Sequence, residues 1–576
     1  MKKFLTAILA LCACALTATA AGCMKVGGAS SSSETSTENL IPGENRAVTL
    51  QEGEGFTFKD LNVTNGGVIP EGSNLTFSIE LGGFYTGNPI AYVNDVPVAP
   101  NADGQYSIPV GGEDIIVRVD GVRKDISNMA GSGTMDDAFV VTKPIDLVYI
   151  ADQVNKGNPA YTRGSYILAN DIDCKGEELK VIGDYSTEES IFSGCFSCVT
   201  NPETGEMQRY TISNFTINSE NSGYVGLFGA VFADMTVTSS ALFYGIRIEN
   251  FTINAGVSEL ATESKTVSCG GLVGYGVGAN LYLCEAKNGE INLTADQSYF
   301  SFAGGLIGYQ QAFYEPSYEA YFPSEITYAS VDVDVNVLGG MALYAGGIAG
   351  YLATNYPFAA TASIHNSYAL GSVNGALRSG GIAGGMGQYT VVSNCYATGE
   401  ITARTDSPID DPISTSDEYS YSYAGGLVGF AENDSIAHDC FFNGTANAYA
   451  ISGEAYALAS PFVAGGYEAG NVSIDSQKYL VVDCLEKVDL KDDSYLTEAL
   501  GWQGYDWVFT PNALPEVNYG TADGTVALTM TIAYVAPNSQ EKILVNEKDS
   551  FSEKYVDTSV QSNNSYFFLY LKHPSS

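Results

Sequence analysis

The run His438-Asp439-Cys440 combines residue types that serve as nucleophile, base or metal ligand, in a chain with only three histidines. A nucleophilic thiol needs a base within hydrogen-bond reach, and a zinc site needs convergent Cys and His pairs. His365, His438 and His573 supply no such spacing. Cys195 and Cys198 form a Cys-x-x-Cys pair, but in a stretch that reads as turns rather than at the start of the helix such redox pairs use. Asp406, Asp410, Asp411, Asp417 and Glu418 crowd one short segment. Carboxylates gathered in this way run glycoside chemistry or hold calcium, yet no His or Arg companion motif stands nearby. The expectation is a solvated acidic loop. Gly271-Leu272-Val273-Gly274, followed by Gly276 and Gly278, superficially matches a dinucleotide loop. That chemistry needs a helix after the glycines, and strand-like residues follow here. The residues therefore nominate no catalytic group, no metal ligand and no cofactor. What remains is the 38 tyrosines. Tyr314, Tyr318, Tyr321, Tyr419 and Tyr421 sit in two insertions and are the candidate ligand contacts, as flat surfaces for glycan or protein. The competing reading is that tyrosine, a good strand residue, simply covers the edges of the fold.

Charge narrows the partners. A formal net charge of −40, with 26 basic residues in 576, leaves no basic stripe for phosphates, so nucleic acid and anionic membrane surfaces are excluded as partners. The first residues, MKKFLTAILALCACALTATAAGC, have a basic start, an apolar core and small residues up to Cys23, the pattern of a bacterial export signal over residues 1–22. Ala20-Ala21-Gly22-Cys23 resembles a lipobox, which makes Cys23 the expected lipidation site, although Ala20 stands where Leu is usual. Cleavage after Ala18-Thr19-Ala20 by ordinary signal peptidase is the competing reading. Residues 23–46 are rich in Ser, Thr and Gly and read as a tether. The address expected is the extracellular face of the cell, with the membrane reached only through the N-terminal lipid. Eight cysteines remain after Cys23, in spacings that form no tight disulfide framework.

The elements that must hold these residues are strands. Residues 47–126 alternate with the strand period, as in LTFSIEL and DIIVRV, and loosely resemble the immunoglobulin-like sandwiches of bacterial surface proteins. In residues 127–157, Pro144 and Gly157 bracket a helix whose apolar positions are Ile145, Val148, Ala151 and Val154. Beyond it a glycine tetrad recurs six times, at Gly226–Gly229, Gly271–Gly274, Gly305–Gly308, Gly347–Gly350, Gly381–Gly384 and Gly426–Gly429, with spacings of 45, 34, 42, 34 and 45 residues. A degenerate seventh copy is expected at Val463–Ile474. Between tetrads runs a second element, such as VSNCYATGEITA, whose small residues Cys284, Ser367, Cys395 and Cys440, with Ala329 by a looser alignment, form one column. Such repeats are too short to bury their own apolar face and must stack.

This pattern resembles the GLUG-repeat proteins of bacterial surfaces, over roughly residues 144–520. The resemblance implies a right-handed parallel β-helix over 158–520, and stacking arithmetic puts its length on the order of 50 Å. Residues 521–576 are expected as a β-rich cap over the far end. Within the column, Cys395 and Cys440 lie within disulfide reach, and stacked free thiols are the alternative. The function expected is non-enzymatic adhesion or binding of a host or environmental glycan or surface protein. The alternative is a polysaccharide lyase or hydrolase using the acidic insertion.

Overall fold

The protein is seen in a computed structural model that describes residues 44–198, 206–220, 223–235, 239–256, 266–294, 300–317, 319–338, 342–354, 362–405, 421–432, 434–450, 456–467, 480–491, 494–504 and 506–519, and the strand backbones at 525–527, 529–535, 542–546 and 566–572. Cys23, the tether and the acidic segment 406–420 lie outside these residues.

The chain first builds two small sheets. Phe56–Lys59, Asn74–Leu81 and Gln105–Pro109 form one, and Val68–Pro70, Asn45–Leu50, Ile115–Lys124, Tyr85–Val93 and Val96–Val98 the other, in that spatial order. Alternate residues such as Leu75, Phe77, Val48 and Val117 point into a shared core because strand side chains alternate between faces. A helix follows over Pro144–Val154, ended by Gly157 at φ +69°. The Asp146 carboxylate accepts from the backbone N–H of Thr142 (3.0 Å) and Lys143 (3.2 Å), so the helix start is capped. Its buried face is Leu147, Ile150, Ala151 and Val154. That differs from the expected set because the stripe repeats at 3, 4 and 7 residues from Leu147, which leaves Ile145 and Val148 only half-buried beside it.

From Phe139 onward the strands stack in parallel on four faces. The coil of residues 279–315 shows the order: Ala279–Tyr282 on face 1, Glu285–Thr294 on face 2, Phe300–Gly304 on face 3 and Ile307–Glu315 on face 4. Among the described residues face 1 has ten strands, from Phe139–Val141 to Leu480–Val482, and face 3 has seven. Registers are continuous: Leu281, Ile326, Ile364, Val392, Ala437 and Val481 lie one above the next. All but Val481 are buried, and this inward column is the spine of a parallel β-helix.

The corner between faces 1 and 2 explains the small-residue column. Leu283, Tyr328, Asn366, Asn394, Asp439 and Asp483 occupy it at φ near +50°, and each precedes a column member. Asn and Asp tolerate this left-handed conformation better than other side chains. The turn drives the next side chain straight inward, so Cys284, Ala329, Ser367, Cys395 and Cys440 are all 0 % exposed, and Cys484 continues the column half-buried. No disulfide joins these thiols.

The tetrads form the corner between faces 3 and 4. Their glycines do not have positive φ. They are required because backbone occupies the space of a side chain. A Cβ on Gly380, just before one tetrad, would sit 1.9 Å from the Ala383 carbonyl oxygen of the same corner. One on Gly381 would lie 2.1 Å from the Gly426 oxygen of the next coil, and one on Gly384 2.5 Å from the Ala345 nitrogen of the preceding coil. The seventh corner is not at the glycines expected. Gly425 pairs with Ser460 and Val428 with Val463, so residues 461–464 take the tetrad's place and Pro461 stands where the first tetrad glycine would. In earlier coils that position donates its N–H to the coil above, as Gly426 does to Ser460. Proline has no N–H to leave unpaired.

After the last coil the chain turns back as a strap. Trp502 donates Nε1–H to the Asp439 carbonyl (2.9 Å), Tyr328 donates to Asp506 (2.7 Å), Tyr396 to the Pro515 carbonyl (2.6 Å) and Tyr519 to Ser330 (2.9 Å). These anchors fasten the strap to coils between Tyr328 and Asp439. Thr525–Ala527 then pairs antiparallel with Glu206–Gln208, among the first coils. This part of the expected end cap is thus paired beside the opposite end of the stack, where the strap delivers it.

Candidate functional site

The tyrosine insertion at 309–322 is a β-hairpin. Face 4 strand Ile307–Glu315 turns back as Ala320–Phe322 in antiparallel register, which brings Tyr314 opposite Tyr321. Their rings stack with centroids 4.6 Å apart, and Tyr321 is 37 % exposed. Phe322 and Ala320 bury the other side of the hairpin. Of the remaining candidates, Tyr318 and Tyr419 lie outside the described residues. Tyr421 begins a face 3 strand and pairs in register with Tyr456. The structure brings together two of the five.

Other tyrosines serve the fold. Tyr275, Tyr309 and Tyr351 stack from coil to coil at 4.9 and 5.6 Å along face 4, and Tyr224 from face 3 stacks on Tyr275 at 4.6 Å. Phe302, Tyr344, Tyr423 and Phe430 make a second apolar seam where faces 3 and 4 meet. Arg378 is buried in it, donating to Tyr344 (2.7 Å) and lying 4.7 Å from the Phe430 ring centre. Burial pushes the Tyr275, Tyr309 and Tyr351 phenols up, so none is an acid at ordinary pH.

The groups that suggested nucleophilic or redox chemistry are also structural. Cys195 and Cys198 lie in a regular face 1 strand, not in a turn. Burial raises both thiols to about 11, far from the thiolate form that reacts. Cys440 has its thiol raised by burial and by its neighbour Cys395, and its Sγ–H points to the His438 carbonyl (3.1 Å) rather than the ring. His438 instead pairs with Asp439 at 2.6 Å. Among the described residues no group of three or more Cys, His, Asp or Glu converges on a metal position.

The outward side of face 2 has a regular polar surface. Asn218, Asn254, Asn292, Asn336 and Asn374 stack in one row, each amide donating to the one before at 2.8 to 3.3 Å. Beside it Thr216, Thr252, Glu290 and Asp334 form a second row in register. Asn214, Asn250 and Asn288 form a third, each at φ near +50°. Phe251 is buried and its ring fills the side-chain space of Gly289 from the core side, where a Cβ would come within 2.3 Å, and the surface is dented over this glycine.

This face runs into a groove of about 820 Å³ under the N-terminal sandwich. Phe56, Lys59, Glu80 and Tyr85 form its upper wall, and Asp173, Lys175 and Glu177 its lower wall. The walls are fixed to each other. Lys175 donates Nζ–H to the Leu81 carbonyl (3.0 Å), and Gly83 fits so closely that a Cβ would lie 2.4 Å from the Cys174 carbonyl. A second hollow of about 380 Å³ shares Asn250 and Thr252 with the first and continues past Glu290, Asp332 and Asp334. Sequence reasoning did not find this groove, because its walls lie far apart in the chain, 88 residues from Tyr85 to Asp173 and 121 from Phe56 to Glu177. The only local signal was the row of Asn and Thr at coil spacing.

No curated protein matches the chain. Residues 375–402 match the family model described as the GLUG motif. The matched span holds the corner Gly380–Gly384, the face 1 strand Val391–Ser393, the Asn394 turn and the face 2 residues up to Thr402, which is one circuit of the stack. The chain thus carries the GLUG motif at residues 375–402, and the coils before and after that span repeat its form, so the repeat unit is a single turn of a parallel β-helix.

Proposed function

We propose that this is a non-enzymatic binding protein of the bacterial cell surface, held by a lipid on Cys23, whose β-helix presents face 2 to an extended glycan or surface protein. The observation that supports the reading is the set of three polar rows on face 2, repeated at coil spacing. Amides and hydroxyls held at a regular interval suit a ligand that is itself periodic, whereas catalysis needs a few groups with perturbed acidity around one point. The stacked Tyr314 and Tyr321 rings offer a second, flatter contact. An array of glycans and host surface proteins, probed with the chain from Cys23 onward, tests the reading: at least one ligand should bind at micromolar concentration. Incubation with polyuronates and host glycans should yield neither new reducing ends nor unsaturated products. Turnover lost on Asp410→Ala and Asp411→Ala would replace this function with a polysaccharide-cleaving one. For the anchor, the Cys23→Ala protein should appear in the medium while the unaltered protein stays with the cells. Release of both would sink the lipid.

A further inference from the structure

The groove under the sandwich and the dent that continues it differ from the rest of face 2 in charge. Six carboxylates line the two hollows, Glu80, Asp173, Glu177, Glu290, Asp332 and Asp334, against two ammonium groups, Lys59 and Lys175. Both lysines are engaged, Lys59 with Glu80 at 3.5 Å and Lys175 with the Leu81 carbonyl. The carboxylates are spread along the face, with Glu290 and Asp334 one coil apart in the same row. Among the described residues they do not converge on one metal position. A ligand that satisfies them must carry positive charge at intervals. It must also offer hydroxyls, because Thr216, Thr252, Asn214 and Asn250 fill the space between the charges and supply both donors and acceptors. Phe56 and Tyr85 are half-exposed rings in the upper wall, and an aromatic face is a platform for a sugar ring. No deep apolar pocket for peptide side chains accompanies them in the lining.

Resting on the binding function proposed above, we infer that the groove takes an extended oligosaccharide with free amino groups, its rings against Phe56 and Tyr85 and its ammonium groups against Glu290, Asp332 and Asp334. The docked sandwich supports the inference, because walls fixed by the Gly83 and Lys175 contacts lose little freedom when a ligand enters. Glu290 and Asp334 each keep acceptor sites beyond their bonds to Asn336 (3.3 Å) and Ser372 (2.6 Å).

Calorimetric titration of the chain from Cys23 onward tests this, in mildly acidic, low-salt buffer. The probes are a fully de-N-acetylated glucosamine hexamer, its N-acetylated counterpart, a galacturonate hexamer and hexalysine. The glucosamine hexamer should bind at least about tenfold more tightly than the other three, and its affinity should fall steeply with added salt. The exposed pair Glu290→Gln and Asp334→Asn should weaken it by at least about tenfold with the urea midpoint unchanged, and Tyr85→Ala should weaken it as well. Hexalysine binding as tightly would mean charge alone is read and would overturn the inference, as would an N-acetylated hexamer binding equally. So would glucosamine binding that ignores the double variant. A neutral or acidic glycan that binds the array protein regardless of the variants would leave surface binding intact and remove this site. Failure of every array ligand and every hexamer would remove both.

Discussion

At the scale of single residues the tetrad glycines are fixed by neighbours one coil away. Because the Gly426 oxygen would lie 2.1 Å from a Cβ on Gly381, Gly381→Ala forces two coils apart. Overpacking of this kind costs about 1–3 kcal/mol. Gly504→Ala meets nothing within 4 Å and should leave stability unchanged. Urea unfolding of the two variants checks the contrast; equal midpoints would mean the corner yields freely. His365 makes a second prediction. Its Nδ1 lies 2.5 Å from Ser393 Oγ, and burial, with His438 adding repulsion, lowers its pKa from 6.5 to about 4. Between those values the unfolded chain takes up a proton that the folded one refuses. Stability from this group is therefore full above about 6.5 and is lost as pH falls towards 4, by at most about 1.4 kcal/mol per pH unit. In His365→Gln that part of the acid dependence should vanish, read as a shallower slope of the urea midpoint against pH. An unchanged slope would show that the histidine titrates normally in the fold.

At the scale of elements the strap is the part that stacking rules do not supply. Trp502 and Trp507 stack at 4.3 Å and cover Tyr396 and Phe441, closing the corner between faces 1 and 2. Further back, Arg209 lies 3.8 Å from the Tyr519 ring centre and 3.3 Å from Glu285, which Arg247 and Lys287 also hold. Burial alone would raise the Glu285 carboxyl, but the three cations outweigh it and keep it below the usual range. Trp502→Ala should cost about 3–5 kcal/mol. It should also make 495–519 the first site of limited proteolysis; cleavage beginning elsewhere would show the strap is not held by this ring. The coils themselves were legible in the sequence, because each close backbone approach demands glycine and each left-handed corner prefers Asn or Asp before a small residue. The strap was not, since Trp502 and Trp507 bury themselves from irregular chain with no period. The last corner was misplaced for a related reason: among the described residues no strand pairs above Pro461, so the constraint that writes glycine at the earlier corners is not seen there. The tyrosine excess was legible only as an excess. Tyr309 and Tyr351 lie in strands whose partners are a coil away, and composition cannot divide such ladders from the exposed Tyr314 and Tyr321 pair.

At the scale of the molecule two cores meet at one small junction. The sandwich core has eleven buried residues, while the β-helix core runs from Phe139 to Val517. Phe84 of the sandwich packs against the larger core, Gly83 sits on Cys174, and Lys143 pairs with Asp125 at 3.0 Å in the linker. An interface of this size does not merge two cooperative units, so calorimetry should show two transitions, with the smaller core melting first. Gly83→Val would place side-chain atoms where the Cys174 carbonyl now lies and should lift the sandwich off the first coils. The β-helix transition should keep its midpoint, the sandwich transition should fall towards that of the isolated unit, and glucosamine-hexamer binding should weaken because the upper wall is no longer fixed. One merged transition in the unaltered chain would mean the junction is far stronger than these contacts imply. Two transitions with binding untouched by Gly83→Val would place the ligand on face 2 alone, beyond the reach of the sandwich.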